Sequence, residues 1–550
     1  MKRIPYGISD YEELISENYY YVDKTKYLGD IENAGKRIIY LRPRRFGTTL
    51  FTSMMYYYYD INSKEKFDSL FKDTYIYNNT TDSKNSYYVL KFDFSGITGN
   101  NEEDLENAFK SKVLEYIYKF ISYYNLDISI NEDNKVYSIL NQFLSRFSQL
   151  QLENKLYIII DEYDNFTNTI LSKDYNKFKN MLGDAGFVKA FYSILKENSG
   201  SVIDRIFITG VCSISLDAMT SGFNIGTNIT NYNKYNSMTA LTHDEVKILI
   251  DSIDIDYKDK VYNIMVENYD GYRFSDKEEL VFNPTLTMYY LNYYINEGHA
   301  PQELLDKNII SSYTQIRNIL RLQNNNYYGI IITNLINNNR EYGILKSNFT
   351  LDSMLEKDDI VSLLYYFGYI TIEEYIDKEF SYRIPNKVIR DLFIECFNNI
   401  LNEEYSINNE LYEIQEDLIL GNIDKLSNEI SEILKYSSNR TFIKLNEKDI
   451  GLLYFSILHK TNLFNVYNEF EASNGYMDII AYKRVRAEYD ILIELKYIKV
   501  DDYNEDLLNE RIKEANNQIT KYIEDKRIDK SNLKKYIVIF IGSEYKIVEV

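Results

Sequence analysis

Three residues near the end of the chain have the side chains that metal-assisted hydrolysis needs. Asp478 lies in GYMDIIAY, and Glu494 and Lys496 lie in YDILIELKYI. Alternate residues of a strand share a face, so Glu494 and Lys496 point together, and a hairpin can set Asp478 beside them. Two carboxylates can fix a divalent metal that activates water and stabilises a leaving oxygen, while the lysine orients or helps to deprotonate the nucleophile. The alternative is a solvent-facing strand whose Glu494 and Lys496 form a surface ion pair.

A second candidate site lies near the start of the chain, where 37–50 reads RIIYLRPRRFGTTL. The apolar run predicts a buried strand, and the apolar spacing after the glycine predicts a helix over 50–59. Strand, loop and helix in this order make a phosphate cradle, because backbone N–H groups and the positive end of the helix dipole converge on one anion. The loop residues predicted to bind a nucleotide are Arg44, Arg45, Phe46, Gly47, Thr48 and Thr49.

This loop departs from the phosphate-binding sequence GxxxxGK[ST] at two positions. When the two are aligned on Gly47, Arg42 stands where the first glycine belongs, and Thr48 replaces the lysine that reaches the β- and γ-phosphates. Thr49 still offers a hydroxyl group to Mg2+. We therefore expect weak ATP binding and little hydrolysis.

Other interpretations of the loop stay open. It is also compatible with a basic strand-to-helix turn that binds no nucleotide, or with an active ATPase in which Arg44 or Arg45 supplies the missing charge. Lys24 is a further candidate for that charge, although a surface lysine beside a helix cap is the simpler interpretation.

An apolar strand that ends in two carboxylates is predicted at 155–164, which reads KLYIIIDEYD. Asp161 and Glu162 would lie at its carboxyl end, where α/β sheets bind ligands. Asp161 would hold Mg2+ through water, and Glu162 would polarise the attacking water in phosphoryl transfer. The next apolar run, RIFITGV, ends near Thr209, which is either a sensor of the γ-phosphate or a plain strand end.

Strands and helices that would position these residues alternate along the first part of the chain. The run 87–94 has strand alternation and 102–124 has a helical period, which favours a parallel α/β sheet. From residue 242 the pattern is helical, as in a lid, and after residue 360 helix, hairpin and helix predict a winged-helix-like module. Such modules bind DNA or pack domains together, and the acidic segment 373–379 favours packing. We predict boundaries at 1–300 for a nucleotide-binding domain with a helical lid, 301–426 for a helical and winged-helix-like middle, and 427–550 for a C-terminal α/β domain.

Charge and composition limit the classes of function. The net charge of −21 argues against a general polyanion binder, because nonspecific nucleic-acid affinity comes mainly from Lys and Arg. Nucleic-acid contact then requires a local basic patch, for which Arg484 and Arg486, predicted next to the metal site, are the candidates. The two cysteines, Cys212 and Cys396, form no CxxC pair, which gives neither a disulfide framework nor a zinc cluster.

The N-terminal sequence contains no apolar run that resembles a signal peptide, and no segment is long enough to span a membrane. We expect a soluble intracellular protein, cytoplasmic or nuclear, without a membrane partner.

Several motifs, in order, resemble one known family. RPRRFG followed by TTL is similar to the RPRRFGKTL signature of the AAA-ATPase-like family, whose members carry a C-terminal PD-(D/E)XK nuclease domain. The other similar segments are IPYGISDYEEL near the start, YVDKT at 21–25, IIIDEYD at 158–164, FITGVCSISL at 207–216, SGFNIGTNI at 221–229 and GYRFS at 271–275.

The C-terminal residues resemble the D…ExK core of the PD-(D/E)XK nucleases. The resemblance implies that Glu447, in NEKDIGLLYFSIL, is the carboxylate of the first helix and that Gln518, in EANNQI, faces the site. Glu469 and Glu471 match a further family stretch imperfectly.

The resemblance implies an AAA-like P-loop domain, a helical and winged-helix-like middle, and a C-terminal α/β restriction-endonuclease-like domain. The expected function is ATP binding coupled to a nuclease that uses Mg2+ or Mn2+ and acts on DNA. The metal ligands would be Asp478 and Glu494 in the nuclease, and Thr49 and Asp161 in the P-loop domain. A noncatalytic, nucleotide-dependent interaction module is the alternative, and the loss of the P-loop lysine favours it.

Overall fold

The structure is a computed structural model that describes residues 2–99, 101–165, 186–213, 226–306, 326–347, 356–405, 411–436, 446–472 and 475–550. The chain divides into two compact units. The first unit contains Met1–Asn325 and Tyr342–Ile389, and the second contains Asn326–Glu341 and Arg390–Val550. The predicted middle region, 301–426, is therefore shared between the two units.

Five short strands form the parallel sheet of the first unit. They are β1 (Arg37–Leu41), β2 (Tyr88–Asp93), β3 (Leu156–Asp161), β4 (Ile203–Gly210) and β5 (Thr227–Asn228), in the spatial order β2-β3-β4-β1-β5. β3 is buried along its whole length, as its uninterrupted apolar sequence predicts for a central parallel strand. The carboxyl ends of β1, β3 and β4 meet at one edge of the sheet, where α/β proteins bind ligands.

Helices cover the sheet and extend beyond it. Their bounds are α1 (Tyr11–Ser16), α2 (Tyr27–Ala34), α3 (Thr48–Tyr59), α4 (Phe67–Phe71), α5 (Tyr75–Asn78), α6 (Glu102–Tyr123), α7 (Val136–Gln149), α8 (Phe187–Glu197), α9 (His243–Ser252), α10 (Lys258–Tyr269) and α11 (Pro284–Glu297). Side chains spaced for one helical face of α3, including Phe51, Met55 and Tyr58, are buried in the core beside β1 and β3. α9 begins with a capping box formed by Thr242 and Glu245.

A small module ends the first unit. Its elements are the strand β6 (Glu341–Gly343), the helix α13 (Lys357–Tyr366), the hairpin strands β7 (Thr371–Ile376) and β8 (Glu379–Arg383), and the start of α14 (Lys387–Tyr405), while α12 (Asn326–Asn338) precedes them in the chain. The strands pair in the order β6-β8-β7. Helix, hairpin and helix therefore follow one another as the sequence predicts.

The second unit is built on a mixed five-stranded sheet. Its strands are β9 (Phe464–Ala472), β10 (Gly475–Lys483), β11 (Asp490–Ile498), β12 (Leu533–Ile541) and β13 (Glu544–Glu549), in the order β13-β12-β11-β10-β9. Only β11 and β12 are parallel. The helices of this unit after α14 are α15 (Leu411–Ile419), α16 (Asp424–Tyr436), α17 (Glu447–Lys460) and α18 (Glu505–Tyr522). Short 3-10 helices occupy Ile61–Lys66, Asn233–Tyr235 and Val500–Asp502.

The predicted secondary structure holds within a residue or two where the hydrophobic pattern is strong. The predicted strand 87–94 is β2, the predicted helix 102–124 is α6, and the helix after the P-loop begins at Thr48. The end of FITGVCSISL and the start of SGFNIGTNI lie outside the described residues. Within the described part of the chain, every helix is too short or too polar to cross a bilayer.

Candidate active sites

The hairpin of β10 and β11 brings the C-terminal trio together. Ile479 pairs with Ile493, so Asp478 and Glu494 lie at neighbouring positions on adjacent strands. One carboxylate oxygen of Asp478 accepts a hydrogen bond of 2.7 Å from the backbone N–H of Leu495. This bond fixes the Asp478 carboxylate against β11, one residue from both Glu494 and Lys496.

Glu494 is almost completely buried, with 1% of its surface exposed. Its Oε1 accepts a hydrogen bond of 2.9 Å from Nζ of Lys496, whereas its Oε2 has no hydrogen-bond partner among the described residues. Burial, followed by the charge of Asp478, raises the pKa of Glu494 to about 8. Burial alone would lower the pKa of Lys496, but pairing with Glu494 outweighs it and the pKa is raised. An ionised Glu494 therefore depends on positive charge beside it.

Two helices complete this site. Glu447, the first residue of α17, accepts a hydrogen bond of 3.0 Å from the backbone N–H of Tyr497, and its charge contributes to the raised pKa of Glu494. Gln518 lies on α18, and its buried Oε1 also lacks a partner among the described residues. The neighbouring Tyr522 has its pKa raised to about 12, first by burial and then by the charges of Glu494 and Asp478. The sequence motifs thus converge in space, while the side chains of Glu469 and Glu471 lie outside the described set.

The donor set fits a magnesium-type cation. Glu494 Oε2 and Gln518 Oε1 are buried oxygens without partners, and hard cations bind oxygen. Among the described residues, no group of three or more His, Cys, Asp and Glu side chains forms a ready metal cluster. Mg2+ is commonly held by one or two carboxylates together with water and substrate phosphates. Asp478 and Glu494 therefore have the chemistry that protein ligands of this type of ion require.

The basic turn lies farther from this site than the sequence predicts. Arg484 follows the end of β10, six residues after Asp478, which corresponds to about 20 Å along an extended strand. Its Nε donates to Oδ1 of Asn465 at 3.1 Å. β11 runs back from this turn, so Arg484 and Arg486 lie at the opposite end of the hairpin. The expectation that they lie next to the metal site is wrong, because the turn and the carboxylates are separated by the length of the strands.

The P-loop of the first unit follows β1 and opens into a cavity of about 750 Å3. Gly47 has a φ of +78°, and a Cβ atom at this position would lie 3.3 Å from the carbonyl oxygen of Thr239. Glycine suits this position because the left-handed conformation costs it little. Predicted residues that line the cavity are Arg44, Arg45, Gly47, Thr48, Thr49, Glu162 and Thr209. A cavity of this size at a helix N-terminus is suited to a nucleotide.

Arg42, at the position of the missing first glycine, is a structural residue. Its terminal nitrogens donate to the carbonyl oxygens of Leu41, Thr230 and Tyr235 at 2.7 to 2.8 Å. Its guanidinium group also lies over the rings of Tyr40 and Phe274, 4.3 and 4.0 Å from their centroids. Arg42 is 2% exposed, and burial lowers its pKa. These contacts hold β1 to the segment after β5.

Asp161 is fully buried and bound by hydroxyl groups. Its Oδ1 accepts from Thr209 at 2.8 Å, and its Oδ2 accepts from Thr52 at 3.1 Å. The hydroxyl that approaches Asp161 from α3 is thus that of Thr52, one turn after the predicted Thr49. Thr209 positions Asp161 through this bond, in addition to lining the cavity.

Glu162 lies at the cavity wall with a left-handed backbone, φ +50°. Burial and then the charge of Asp161 raise its pKa to about 7, while Arg44 opposes the shift. A carboxyl group whose pKa lies near neutrality is suited to accept a proton from water.

The candidate cations around the loop differ in their surroundings. Lys24 is buried and pairs with both carboxylate oxygens of Glu245 at 2.6 and 2.7 Å, so the interpretation as a surface lysine is wrong. Arg44 donates to the side chain of Asn165. Arg45 is exposed at the cavity. Phe46 points away from the cavity, and its ring packs edge-on against Tyr272 and Phe274.

Asp93 and Ser95 also line the cavity, and the sequence reasoning missed them. Asp93 ends β2 and pairs in register with Asp161. The signal was available, since β2 was predicted and the carboxyl ends of neighbouring parallel strands share an edge.

Comparison with known proteins agrees with this two-part architecture. Residues 5–220 match the family model described as a predicted AAA-ATPase, and residues 445–550 match the PD-(D/E)XK nuclease superfamily. The chain is therefore an α/β P-loop protein joined to a nuclease-type domain. Its N-terminal region is similar to the AAA-ATPase-like family, and its C-terminal region is similar to the PD-(D/E)XK nuclease superfamily.

Two individual proteins are similar to parts of the chain. An uncharacterized protein encoded in the vnfD 5′ region of Azotobacter chroococcum mcd 1 is 24% identical over 258 residues, which cover 44% of this chain and 44% of that protein. The match thus spans less than half of the relative's length. The Walker-type ATPase PABY2304 of Pyrococcus abyssi is 11% identical, with a TM-score of 0.38 over 72% of this chain and 98% of its own.

Proposed function

We propose that the protein is a divalent-metal-dependent nuclease acting on DNA, with a nucleotide-binding domain that regulates it. The observation that carries this proposal is the convergence of Asp478, Glu494 and Lys496, with Glu494 Oε2 buried and unpartnered among the described residues. A buried carboxylate oxygen without a partner costs free energy that a bound cation would recover.

The residues of this site would have different roles in hydrolysis. Asp478 and Glu494 would hold Mg2+ or Mn2+, which supplies an acidic water and stabilises charge on the leaving oxygen. Lys496 lies 2.9 Å from Glu494, so its ammonium group orients the nucleophile and balances the buried carboxylate. Glu447 and Gln518 line the same site from α17 and α18. Their role is to position water and the reacting phosphate.

The first unit would bind ATP weakly and hydrolyse it slowly. Thr48 carries no positive charge, Lys24 is paired with Glu245, and Arg42 is committed to backbone carbonyls. Arg44 and Arg45 remain at the cavity to meet phosphate oxygens. Thr49 and Asp161 are the candidates for Mg2+ in this unit, and Glu162 is the candidate base. Nucleotide occupancy, rather than turnover, would then act as the signal.

A cleavage assay with the full chain tests the proposal. Single- and double-stranded DNA and RNA should be incubated with Mg2+, Mn2+ or EDTA, and Asp478→Asn should serve as the nearly isosteric control. We expect metal-dependent cleavage of DNA that the Asp478→Asn variant loses. Cleavage that persists in EDTA, or in this variant at the wild-type rate, would reject the nuclease assignment.

The interaction module is the second candidate function. For the first unit, two observations favour it. Thr48 is neutral, and the charges of Lys24 and Arg42 are bound by other groups of the protein instead of facing a nucleotide. Binding of ATP without hydrolysis, together with no cleavage of any nucleic acid, is the result that this candidate requires.

A further inference from the structure

A second cavity, of about 570 Å3, lies in the second unit between α12 and the start of α17. Glu447 and Tyr497 form part of its wall. Glu447 also borders the nuclease-like site, where it accepts a hydrogen bond from the backbone N–H of Tyr497, whereas the side chain of Tyr497 points to the face of β11 opposite Glu494 and Lys496. The cavity is therefore a direct neighbour of the proposed reaction centre, although α12 lies more than a hundred residues earlier in the chain.

The cavity wall contains two buried polar atoms without partners. Thr333 is 6% exposed and Asn337 is 8% exposed. Thr333 Oγ1 and Asn337 Oδ1 have no hydrogen-bond partner among the described residues. The amide nitrogen of Asn337 faces Asp449 at 3.5 Å, which leaves the amide oxygen as the acceptor. Buried polar atoms are normally paired, so two such atoms on one cavity wall favour a ligand with hydrogen-bonding groups.

The charges at the cavity exclude a simple phosphate site. Glu447 and Asp449 are acidic and Lys448 is basic, and Lys448 donates to Oδ1 of Asn338 at 3.0 Å. A wall with more negative than positive side chains repels an anion. The other lining residues are asparagines, Thr333, Ile330 and Tyr497. This combination suits a neutral planar group with hydrogen-bond donors and acceptors at its edge.

We propose that this cavity holds an unpaired nucleobase of the DNA strand that the neighbouring site cleaves. The inference rests on the proposed nuclease function and adds a substrate subsite to it. Thr333 and Asn337 hydrogen-bond the edge of the base, and Tyr497 contributes aromatic surface to the wall. A base inside a duplex cannot enter a cavity, so the substrate is single-stranded or has a base turned out of the stack.

Binding of abasic oligonucleotides tests the subsite without relying on catalysis. A fluorescein-labelled single-stranded DNA is titrated with the full chain in EDTA, and a single abasic site is moved along the oligonucleotide. The wild type should lose about tenfold in affinity when the abasic site occupies one particular position. The variants Thr333→Val and Asn337→Leu should bind the intact strand about five- to tenfold more weakly than the wild type. Their affinity should not fall further when the abasic site occupies that position.

Thermal unfolding separates this role from a structural one. Because Thr333 Oγ1 is unpaired in the free protein, Thr333→Val should leave the unfolding temperature unchanged or raise it, while DNA binding falls. Asn398→Leu is the matched control, since Asn398 is a buried amide outside the cavity that accepts from Ser456 at 2.6 Å. It should lower the unfolding temperature and keep the wild-type response to the abasic site.

These experiments distinguish failure of the base subsite from failure of the proposed nuclease function. If the cavity variants retain the full wild-type loss at the abasic position, or if no position matters in the wild type, the base subsite is rejected. If the wild type cleaves no nucleic acid with any metal, the nuclease function is rejected, and the binding ratios still decide the subsite because they are measured without cleavage.

Discussion

The two candidate sites differ in how their buried polar groups are satisfied. At the edge of the parallel sheet, Asp161 accepts from two threonines and Lys24 pairs with Glu245, while Arg42 donates through its terminal nitrogens to three carbonyl oxygens and leaves Nε without a partner among the described residues. In the C-terminal site, Glu494 Oε2 and Gln518 Oε1 have no partners among the described residues. The first arrangement keeps its geometry with an empty cavity, whereas the second gains free energy when a ligand completes it.

The largest expected effect concerns the C-terminal trio. Asp478→Ala and Glu494→Ala should each reduce DNA cleavage by about 100- to 1,000-fold and weaken Mn2+ binding, because they remove metal ligands. Lys496→Ala should slow cleavage to a similar extent while Mn2+ binding persists. Cleavage time courses and calorimetric titration with Mn2+ separate the two classes of defect.

The control for this series is Glu510→Ala, which removes an exposed carboxylate from the same unit and should change neither measurement. Equal loss of Mn2+ binding in the Lys496→Ala variant would contradict the division into ligands and lysine.

The second prediction tests whether Arg42 is structural. Arg42→Met removes three hydrogen bonds to buried carbonyl oxygens and should lower the free energy of unfolding of the first unit by about 3 kcal/mol or more. Denaturant titration followed by circular dichroism measures this loss. Arg45→Met, in the exposed part of the same loop, should leave stability within about 0.5 kcal/mol. A stable Arg42→Met protein would mean that the loop does not depend on this arginine.

The third prediction concerns the uncharged position of the P-loop. Thr48→Lys should strengthen ATP binding about tenfold, because a lysine here can form a charge-assisted hydrogen bond with the β- and γ-phosphates. It should also raise hydrolysis. Thr48→Met has similar length without charge and should produce neither gain. Rapid wild-type hydrolysis that Asp161→Ala abolishes would show instead that Arg44 or Arg45 already replaces the lysine.

The smallest expected effect is communication between the two sites. If ATP occupancy regulates cleavage, a nonhydrolysable ATP analogue should change the cleavage rate of the full chain about fivefold. Gly47→Val should abolish that response, because a side chain at φ +78° is strained and approaches Thr239. A response that survives in Gly47→Val, at equal analogue concentration, would place the effect outside the P-loop.

The sequence predicts local features of both sites well and their tertiary partners poorly. The β3 carboxylates and the β10–β11 hairpin follow from uninterrupted or alternating apolar runs, which specify strands directly. The burial of Lys24 with Glu245 could not be read in this way, because the two residues are 221 positions apart. Likewise, the position of Arg484 depends on strand length and register rather than on its nearness to Asp478 in the sequence.

The contribution of α12 to the second unit was also beyond the sequence pattern. Its apolar spacing predicts a helix, but nothing in that spacing indicates which sheet the helix accompanies. Thr333 and Asn337 were therefore invisible as candidate site residues until the fold placed them beside Glu447.

The division of the second unit into Asn326–Glu341 and Arg390–Val550 has a consequence for how the protein is made and dissected. During synthesis, α12 leaves the ribosome about 200 residues before the sheet of the second unit is complete, so the two can pack together only late in synthesis. No single proteolytic cut or gene truncation can liberate the second unit whole, because 342–389 belongs to the first. A recombinant fragment that begins near Ser427 would also start inside α16 and omit the wall of the second cavity. Exchange of the whole second unit between relatives would then require three crossover points instead of one.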